Sequence, residues 1–84
     1  MRVRVELFAG LREVIGQREI EVDLPAGSSV GDLRDGLSRD FPKLAPFLPS
    51  LVCAVNQEYR SREYLLQDGD EVALIPPISG GRHV

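Results

Sequence analysis

Two short segments near the start of the sequence alternate between apolar and polar side chains, and this alternation constrains the fold more than any other feature. Over residues 2–8 every second residue is apolar, namely Val3, Val5 and Leu7. Residues 19–24 repeat the pattern with Ile20, Val22 and Leu24. A period of two predicts strands with one buried face. Between them, apolar residues at 11, 14 and 15 have helical spacing and Gly16 suits a helix end. The sequence predicts a β-hairpin whose connection contains a helical turn.

A helix is predicted from Val30 to Phe41. Ser29 can accept hydrogen bonds from the first free N–H groups, and Asp32 follows three residues later, as in a capping box. The apolar residues then share one helical face, and charged residues, including Arg34, take the other face. Pro42 ends the helix.

Three further strands are expected in the second half. Leu51–Val55 is apolar throughout, which predicts a strand buried on most of both faces. Asn56–Glu58 is expected to turn into a short edge strand, Tyr59–Ser61. Asp68–Asp70 is a tight turn with Gly69 at positive φ, and Glu71–Ile75 is the last strand, apolar enough to be central.

These elements predict an α+β domain, a mixed sheet of about five strands with one main helix packed on one face. The chain has 84 residues, which is one domain. If the last strand lies parallel to the first, Phe8 and Ile75 both fall on the face opposite the helix. Two apolar residues on a polar face indicate a partner surface, unless the chain's own loops cover them.

The segment that follows the last strand is thin and carries little bulk. Pro76 and Pro77 stop the strand because neither has an N–H to donate. Ile78 and Ser79 follow, and then Gly80 and Gly81, which have no Cβ and can enter a narrow slot. The sequence is typical of a tail inserted into another protein's active site, or of a frayed terminus. We therefore divide the chain into a domain over residues 1–81, with a flexible tail from about Pro76, and an extension of unknown role over residues 82–84.

The composition excludes several classes of function. The net charge is −3 and no Lys/Arg cluster stands out, so no nucleic-acid partner is expected. No apolar run is long enough to span a membrane. The single cysteine, Cys53, allows no internal disulfide and favours a cytoplasmic location. With one histidine, His83, and no metal-ligand spacing, neither a metal site nor catalysis by the domain alone is expected. The one reactive group left is the carboxylate that Gly81 would expose if the chain ended there.

Several motifs give the chain a family resemblance. They are Val3–Gly16, with Phe8-Ala9 and Arg12-Glu13, then Ser29–Leu33, Ala54–Asn56 and the Asp68–Gly81 string, DGDEVALIPPISGG. Together they resemble the small subunits of molybdopterin synthase, within the β-grasp, ubiquitin-like sulfur carriers.

The resemblance implies a sulfur carrier of molybdenum cofactor biosynthesis. An E1-like adenylating enzyme, which uses ATP, would activate the carboxylate of Gly81, and a sulfurtransferase would convert it to a thiocarboxylate. The tail would then enter the large synthase subunit and deliver sulfur to cyclic pyranopterin monophosphate, forming molybdopterin. The carrier itself would bind no cofactor. Gly80, which has no side chain, would keep the tail narrow, and residues 76–79 would guide it. Phe8, Arg12 and Ile75 would contact the partner.

The residues Arg82-His83-Val84 depart from this pattern, because members of the family usually stop at the second glycine. Either a processing protease removes them, or the chain is part of a fused product, or this copy is not a carrier. A related carrier for thiamine, cysteine or tRNA thiolation, a protein modifier, and a non-carrier β-grasp interaction domain stay open as alternatives.

Overall fold

A mixed sheet of five strands, in the order β2-β1-β5-β3-β4, forms the body of the protein. The computed structural model describes residues 1–8 and 10–76. Within them the elements are β1 (Arg2–Leu7), α1 (Gly10–Ile15), β2 (Glu19–Asp23), α2 (Val30–Asp40), a 3₁₀ turn (Leu48–Ser50), β3 (Val52–Val55), β4 (Glu58–Tyr59) and β5 (Glu71–Ile75). The predicted α+β arrangement is confirmed.

The first half of the chain forms the predicted hairpin. β1 and β2 are antiparallel, with Val3 opposite Val22 and Val5 opposite Ile20, so the apolar residues of both alternating segments lie on one face. The connection contains α1, and Gly16 follows it with a φ of +86°. Its N–H donates to the carbonyl of Arg12, which closes the helix.

The last strand occupies the centre of the sheet, as its apolar composition predicted. β5 is parallel to β1, with Leu7 paired to Leu74. On its other side it is antiparallel to β3, where Cys53 pairs with Leu74. The carboxyl ends of β1 and β5 therefore emerge at the same edge of the sheet.

Helix α2 covers one face of this sheet and completes the core. Ser29 accepts a hydrogen bond from the N–H of Asp32, whose carboxylate accepts one from the N–H of Ser29, so the predicted capping box is present. The inward side of α2 then packs against the alternating residues of β1 and β5, and these residues are almost fully buried: Val30, Leu33, Leu37, Val3, Val5, Leu7, Val72 and Leu74. Full burial of each such side chain contributes about 1.5–3 kcal/mol.

Two details of the second half differ from the sequence-based expectation. β3 is buried at Cys53, Ala54 and Val55, but the prediction of burial is wrong for Val52, which is 41% exposed. Val52 begins the strand opposite Ile75, on the face that α2 does not cover. The short edge strand is Glu58–Tyr59 rather than Tyr59–Ser61, because the turn takes only two residues.

That turn has an unusual backbone. Asn56 and Gln57 both have positive φ, +49° and +74°. Two consecutive residues at positive φ match the twist of a two-residue hairpin. Glu58 is thereby brought directly opposite Val55.

Candidate functional site

The sheet face that points away from α2 is divided into a charged half and an apolar half. The charged half lies on β1, β2 and the start of β5. Arg2 pairs with Asp23 at 2.9 Å, and Arg4 pairs with Glu19 at 3.2 Å and with Glu71 at 2.8 Å. These side chains are about half exposed or more, so the ion pairs contribute little to stability.

One ion pair in this half shifts the pKa values of both its members. The hydrogen bond from the Arg2 guanidinium, together with its charge, lowers the pKa of Asp23 below its usual value and raises the pKa of Arg2 itself. Both groups are therefore charged at neutral pH. The charged half is a solvated surface.

The apolar half lies on β5 and β3 and is called the apolar face below. The register places Ala54 opposite Ala73 and Val52 opposite Ile75. Phe8 follows β1, and Phe8 and Ile75 each lie one residue beyond the Leu7–Leu74 pair, at neighbouring positions. The apolar face thus consists of Phe8, Val52, Ala54, Ala73 and Ile75. The predicted placement of Phe8 and Ile75 opposite the helix is confirmed.

The side chains at the end of the apolar face are accessible. Phe8 is 37% exposed and Val52 is 41% exposed, while Ile75 is half-buried. The chain's own loops therefore do not cover the patch completely. An exposed apolar cluster beside charged residues is a common feature of protein interaction sites.

Arg12 joins this cluster from α1. Its guanidinium lies 5.7 Å from the centroid of the Phe8 ring, and its Nε donates to the carbonyl oxygen of Leu7 at 2.7 Å. The structure thus brings Arg12 to Phe8, at the carboxyl end of β1. The three residues predicted to contact a partner, Phe8, Arg12 and Ile75, lie at one edge of the sheet.

The predicted tail begins at this same edge. Pro76 directly follows β5 and is exposed. The other predicted tail residues, from Pro77 to the proposed reactive Gly81, and the extension over residues 82–84 lie outside the described residues. Their roles stay predictions.

A second surface, beside α2, was not predicted from the sequence. The helical pattern predicts Arg34 on the solvent face of α2, and this prediction is wrong. Arg34 is half-buried and donates to the carbonyl of Leu51 at 3.1 Å, to the Sγ of Cys53 at 3.2 Å, and to the carbonyl of Leu48. It borders a groove of about 820 Å³ between α2 and the β3–β4 edge of the sheet. Helical periodicity could not reveal this, because the acceptors come from residues 14–19 positions away.

Other sequence-based expectations concern chemistry within the domain. Cys53 is 3% exposed, so the predicted burial of its thiol is confirmed. Among residues 1–8 and 10–76, no group of three or more histidine, cysteine, aspartate or glutamate side chains is arranged to hold a metal ion. In the same part of the chain, neither helix has the length and apolarity that a bilayer crossing requires.

Comparison with known proteins identifies the family. The model of the ThiS family matches residues 5–81, which is nearly the whole chain. The chain belongs to the ThiS family. The match ends at Gly81, the second glycine of the tail motif.

Individual relatives agree with this assignment. The molybdopterin synthase sulfur carrier subunit of Arabidopsis thaliana is 38% identical over 96% of this chain and 84% of its own length. The proteins of the same name from Chlamydomonas reinhardtii and Caenorhabditis briggsae are 42% and 33% identical to this chain. The resemblance found in the sequence motifs is therefore confirmed.

Solved structures show the same fold. Small archaeal modifier protein 1 of Haloferax volcanii is 32% identical and superposes with a TM-score of 0.83, over 96% of this chain and 100% of its own. Subunit 1 of the molybdopterin-converting factor of Helicobacter pylori, solved in complex with subunit 2, is 26% identical, with a TM-score of 0.72 over the same shares of the two chains. The predicted β-grasp, ubiquitin-like fold is confirmed.

Proposed function

We propose that the protein is the sulfur carrier subunit of a molybdopterin synthase. The observation that carries the proposal is that proteins of that name are 38% and 42% identical to this chain over 96% of its length. The geometry of the sheet supports it. β5 leaves the centre of the sheet beside the apolar face, so a tail that starts at Pro76 extends from a surface suited to a partner.

The reactive group in this proposal is the α-carboxylate of Gly81. An E1-like adenylating enzyme binds ATP, and the carboxylate oxygen attacks its α-phosphorus, which releases pyrophosphate and leaves an acyl-adenylate. Sulfide delivered by a sulfurtransferase then attacks the carbonyl carbon, displaces AMP and leaves a thiocarboxylate. The carrier domain needs no cofactor for this chemistry, because the partner enzymes supply the nucleotide and the sulfur.

The carrier then docks on the large synthase subunit. The apolar face, with Phe8, Arg12 and Ile75 at its edge, contacts that subunit, and residues 76–80 guide Gly81 into its active site. There the thiocarboxylate sulfur passes to cyclic pyranopterin monophosphate. The Helicobacter pylori complex of subunits 1 and 2 supports a large-subunit partner of this kind.

A free carboxylate on Gly81 requires cleavage of one peptide bond. In the 84-residue sequence Gly81 is followed by Arg82. We propose that a processing protease hydrolyses the Gly81–Arg82 bond before activation. The end of the family match at Gly81 supports this site of cleavage.

Intact-mass spectrometry tests the proposal. The chain ending at Gly81 and the 84-residue chain are each incubated with the cognate adenylating enzyme, ATP and a sulfur donor. We expect the shorter chain to gain the mass difference between sulfur and oxygen, and the longer chain to stay unchanged. No mass gain in the shorter chain, or an equal gain in both, would contradict the proposal.

A second candidate function is covalent attachment to other proteins. The structural similarity to small archaeal modifier protein 1 favours it. The same activated Gly81 carboxylate would then form an amide with a lysine amine instead of receiving sulfur. Immunoblots of the native host distinguish the two, because a modifier gives a ladder of heavier conjugates and a dedicated carrier runs at one mass.

A further inference from the structure

The groove beside α2 has an unusual charge for this protein. Three arginines, Arg34, Arg60 and Arg62, line it, whereas no aspartate or glutamate of the described residues does. The chain as a whole has net charge −3. We call this surface the arginine groove.

The guanidinium groups keep donors available. A guanidinium has five N–H donors, and Arg34 uses its Nη atoms for two carbonyl oxygens and the Cys53 thiol, all of which are neutral. Among the described residues no carboxylate lies within 4.0 Å of Arg34, so its charge has no acidic partner there. Arg60 and Arg62 pair at the rim with Glu58 and Asp35, at 2.8 and 3.3 Å.

Apart from Tyr59 and Ser61, the rest of the groove is apolar, and it is large enough for a short peptide. Val30, Leu51 and Val52 contribute to its wall, and its volume is about 820 Å³. Volumes of about 300–1,000 Å³ are typical of sites that enclose a ligand of several hundred daltons. An extended segment with apolar side chains and one anionic group fits this lining.

Such a segment begins at the groove itself. Pro76, the last residue that the structure describes, is part of the lining. The next residues are apolar (Pro77 and Ile78), then small, and in the carrier form they end with the carboxylate of Gly81. Five extended residues reach about 17 Å, enough to follow the groove from Pro76.

We propose that, when no partner is bound, the Pro77–Gly81 segment of the chain lies in the arginine groove with the Gly81 carboxylate against the arginines. This inference rests on the proposed function, because only the carrier form has a carboxylate at Gly81. Docking shields the reactive end until the adenylating enzyme or the large subunit takes the tail. Since Val52 belongs both to the apolar face and to the groove, a partner on the apolar face also disturbs the docked tail.

A spin label on the tail tests the docking directly. The strands and helices that the structure describes end at Ile75, so the chain ending at Gly81 keeps all of these elements. The label is attached at Ser79→Cys, and paramagnetic broadening of backbone amides is measured by NMR. The chain without this substitution must stay unlabelled, since Cys53 is buried.

The docked tail is expected to broaden the amides of Val30, Ser61 and Arg62 more strongly than those of Phe8 and Ala73 on the other side of Pro76. The double variant Arg60→Gln/Arg62→Gln should lose this difference, and the control Arg39→Gln, which pairs with Asp40 outside the groove, should keep it. On the unaltered arginines, about 1 M salt should also abolish it, because the Debye length then falls to about 3 Å.

Broadening that is equal on both sides, stronger on the apolar face, or insensitive to both the arginines and salt would overturn the inference. The proposed function is judged separately by thiocarboxylate formation. If the chain gains sulfur but does not dock its tail, only the docking proposal is contradicted. If the chain docks its tail but gains no sulfur, only the proposed carrier function is contradicted.

Discussion

At the residue scale, the β3–β4 turn shows which details the sequence does not reveal. Asn at positive φ is common, but the strong hairpin signal is Asn followed by Gly, and here Gln57 follows. The turn forms because Asn56 is held by other contacts. Its Nδ2 donates to the buried carboxylate of Asp70 and its Oδ1 accepts from the N–H of Glu71, both at 3.0 Å. These acceptors and donors are distant in sequence, so the pattern around Asn56 gave no sign of them.

Substitution by glycine distinguishes the effect of the positive φ from the effect of the Asn56 side-chain hydrogen bonds. Asn56→Gly keeps the positive φ but removes the hydrogen bonds to the Oδ1 of Asp70 and from the N–H of Glu71, so the free energy of unfolding should fall by about 1–3 kcal/mol. Gln57→Gly, the matched control, relieves a strained φ without losing a hydrogen bond, and should be neutral or stabilising by about 1 kcal/mol. Urea unfolding measures both. Equal effects would show that the hydrogen bonds of Asn56 contribute nothing.

Asp23 predicts a pH dependence in acid. Its pKa is lower in the folded protein than the ordinary value of 3.8, first because of the Arg2 hydrogen bond. The stabilisation from this pair is therefore present above pH 3.8 and is lost as the pH falls through the folded pKa. Unfolding curves of the unaltered chain and of Asp23→Asn should differ at neutral pH and converge below that value. A gap that persists in acid, or one matched by the control Glu13→Gln, would rule out this pair as its source.

At the scale of elements, local patterns predicted most of the structure. The alternation in β1 and β2, the capping box of α2 and the central position of β5 are all confirmed. The prediction was wrong where an element's end meets the face that α2 does not cover, as at Val52. It also missed the inward orientation of Arg34, whose partners Leu48, Leu51 and Cys53 lie in the 3₁₀ turn, directly after it and in β3, far from α2 in sequence.

The capping box allows a direct test of helix stability. Ser29→Ala removes the acceptor for the N–H of Asp32 and should lower the free energy of unfolding by about 1 kcal/mol. Ser38→Ala replaces an exposed serine within the same helix and should be neutral or slightly stabilising, because alanine is the better helix former. Thermal or urea unfolding of both variants checks this. If Ser29→Ala costs no more than Ser38→Ala, the cap does not stabilise α2.

At the scale of the whole molecule, the two faces of the sheet have separate tasks. One face is buried under α2 and holds the domain together, while the apolar face is left accessible at Phe8 and Val52, beside the strand that leads to Pro76. The sequence predicted the apolar face through the parity of Phe8 and Ile75. It could not predict the arginine groove, because α2, the edge of β3 and the segment after β4 meet there only in three dimensions.

Charged substitutions on the apolar face should affect partner binding and not the stability of the domain. Phe8→Asp and Ile75→Asp place a carboxylate on the apolar face and should weaken binding of the large subunit at least about tenfold, since the few residues that dominate an interface each cost about 2 kcal/mol or more when changed. The urea midpoint should change little for Phe8→Asp. Leu74→Ala, the control on the buried face, should instead lower stability by about 2–5 kcal/mol.

Calorimetric titration and urea unfolding give the two readouts. If Phe8→Asp and Ile75→Asp unfold the domain as Leu74→Ala does, the apolar face is part of the core. If they leave affinity unchanged in a folded domain, the partner binds elsewhere.

The position of β5 also determines how the domain responds to force. This strand is hydrogen-bonded to β1 on one side and to β3 on the other. A pull on Pro76 along the strand axis loads both ladders in shear, so many bonds must break together, whereas a strand at the margin of a sheet can be peeled off bond by bond. An enzyme that binds the tail and pulls on it would therefore move the whole folded domain towards itself instead of unfolding it.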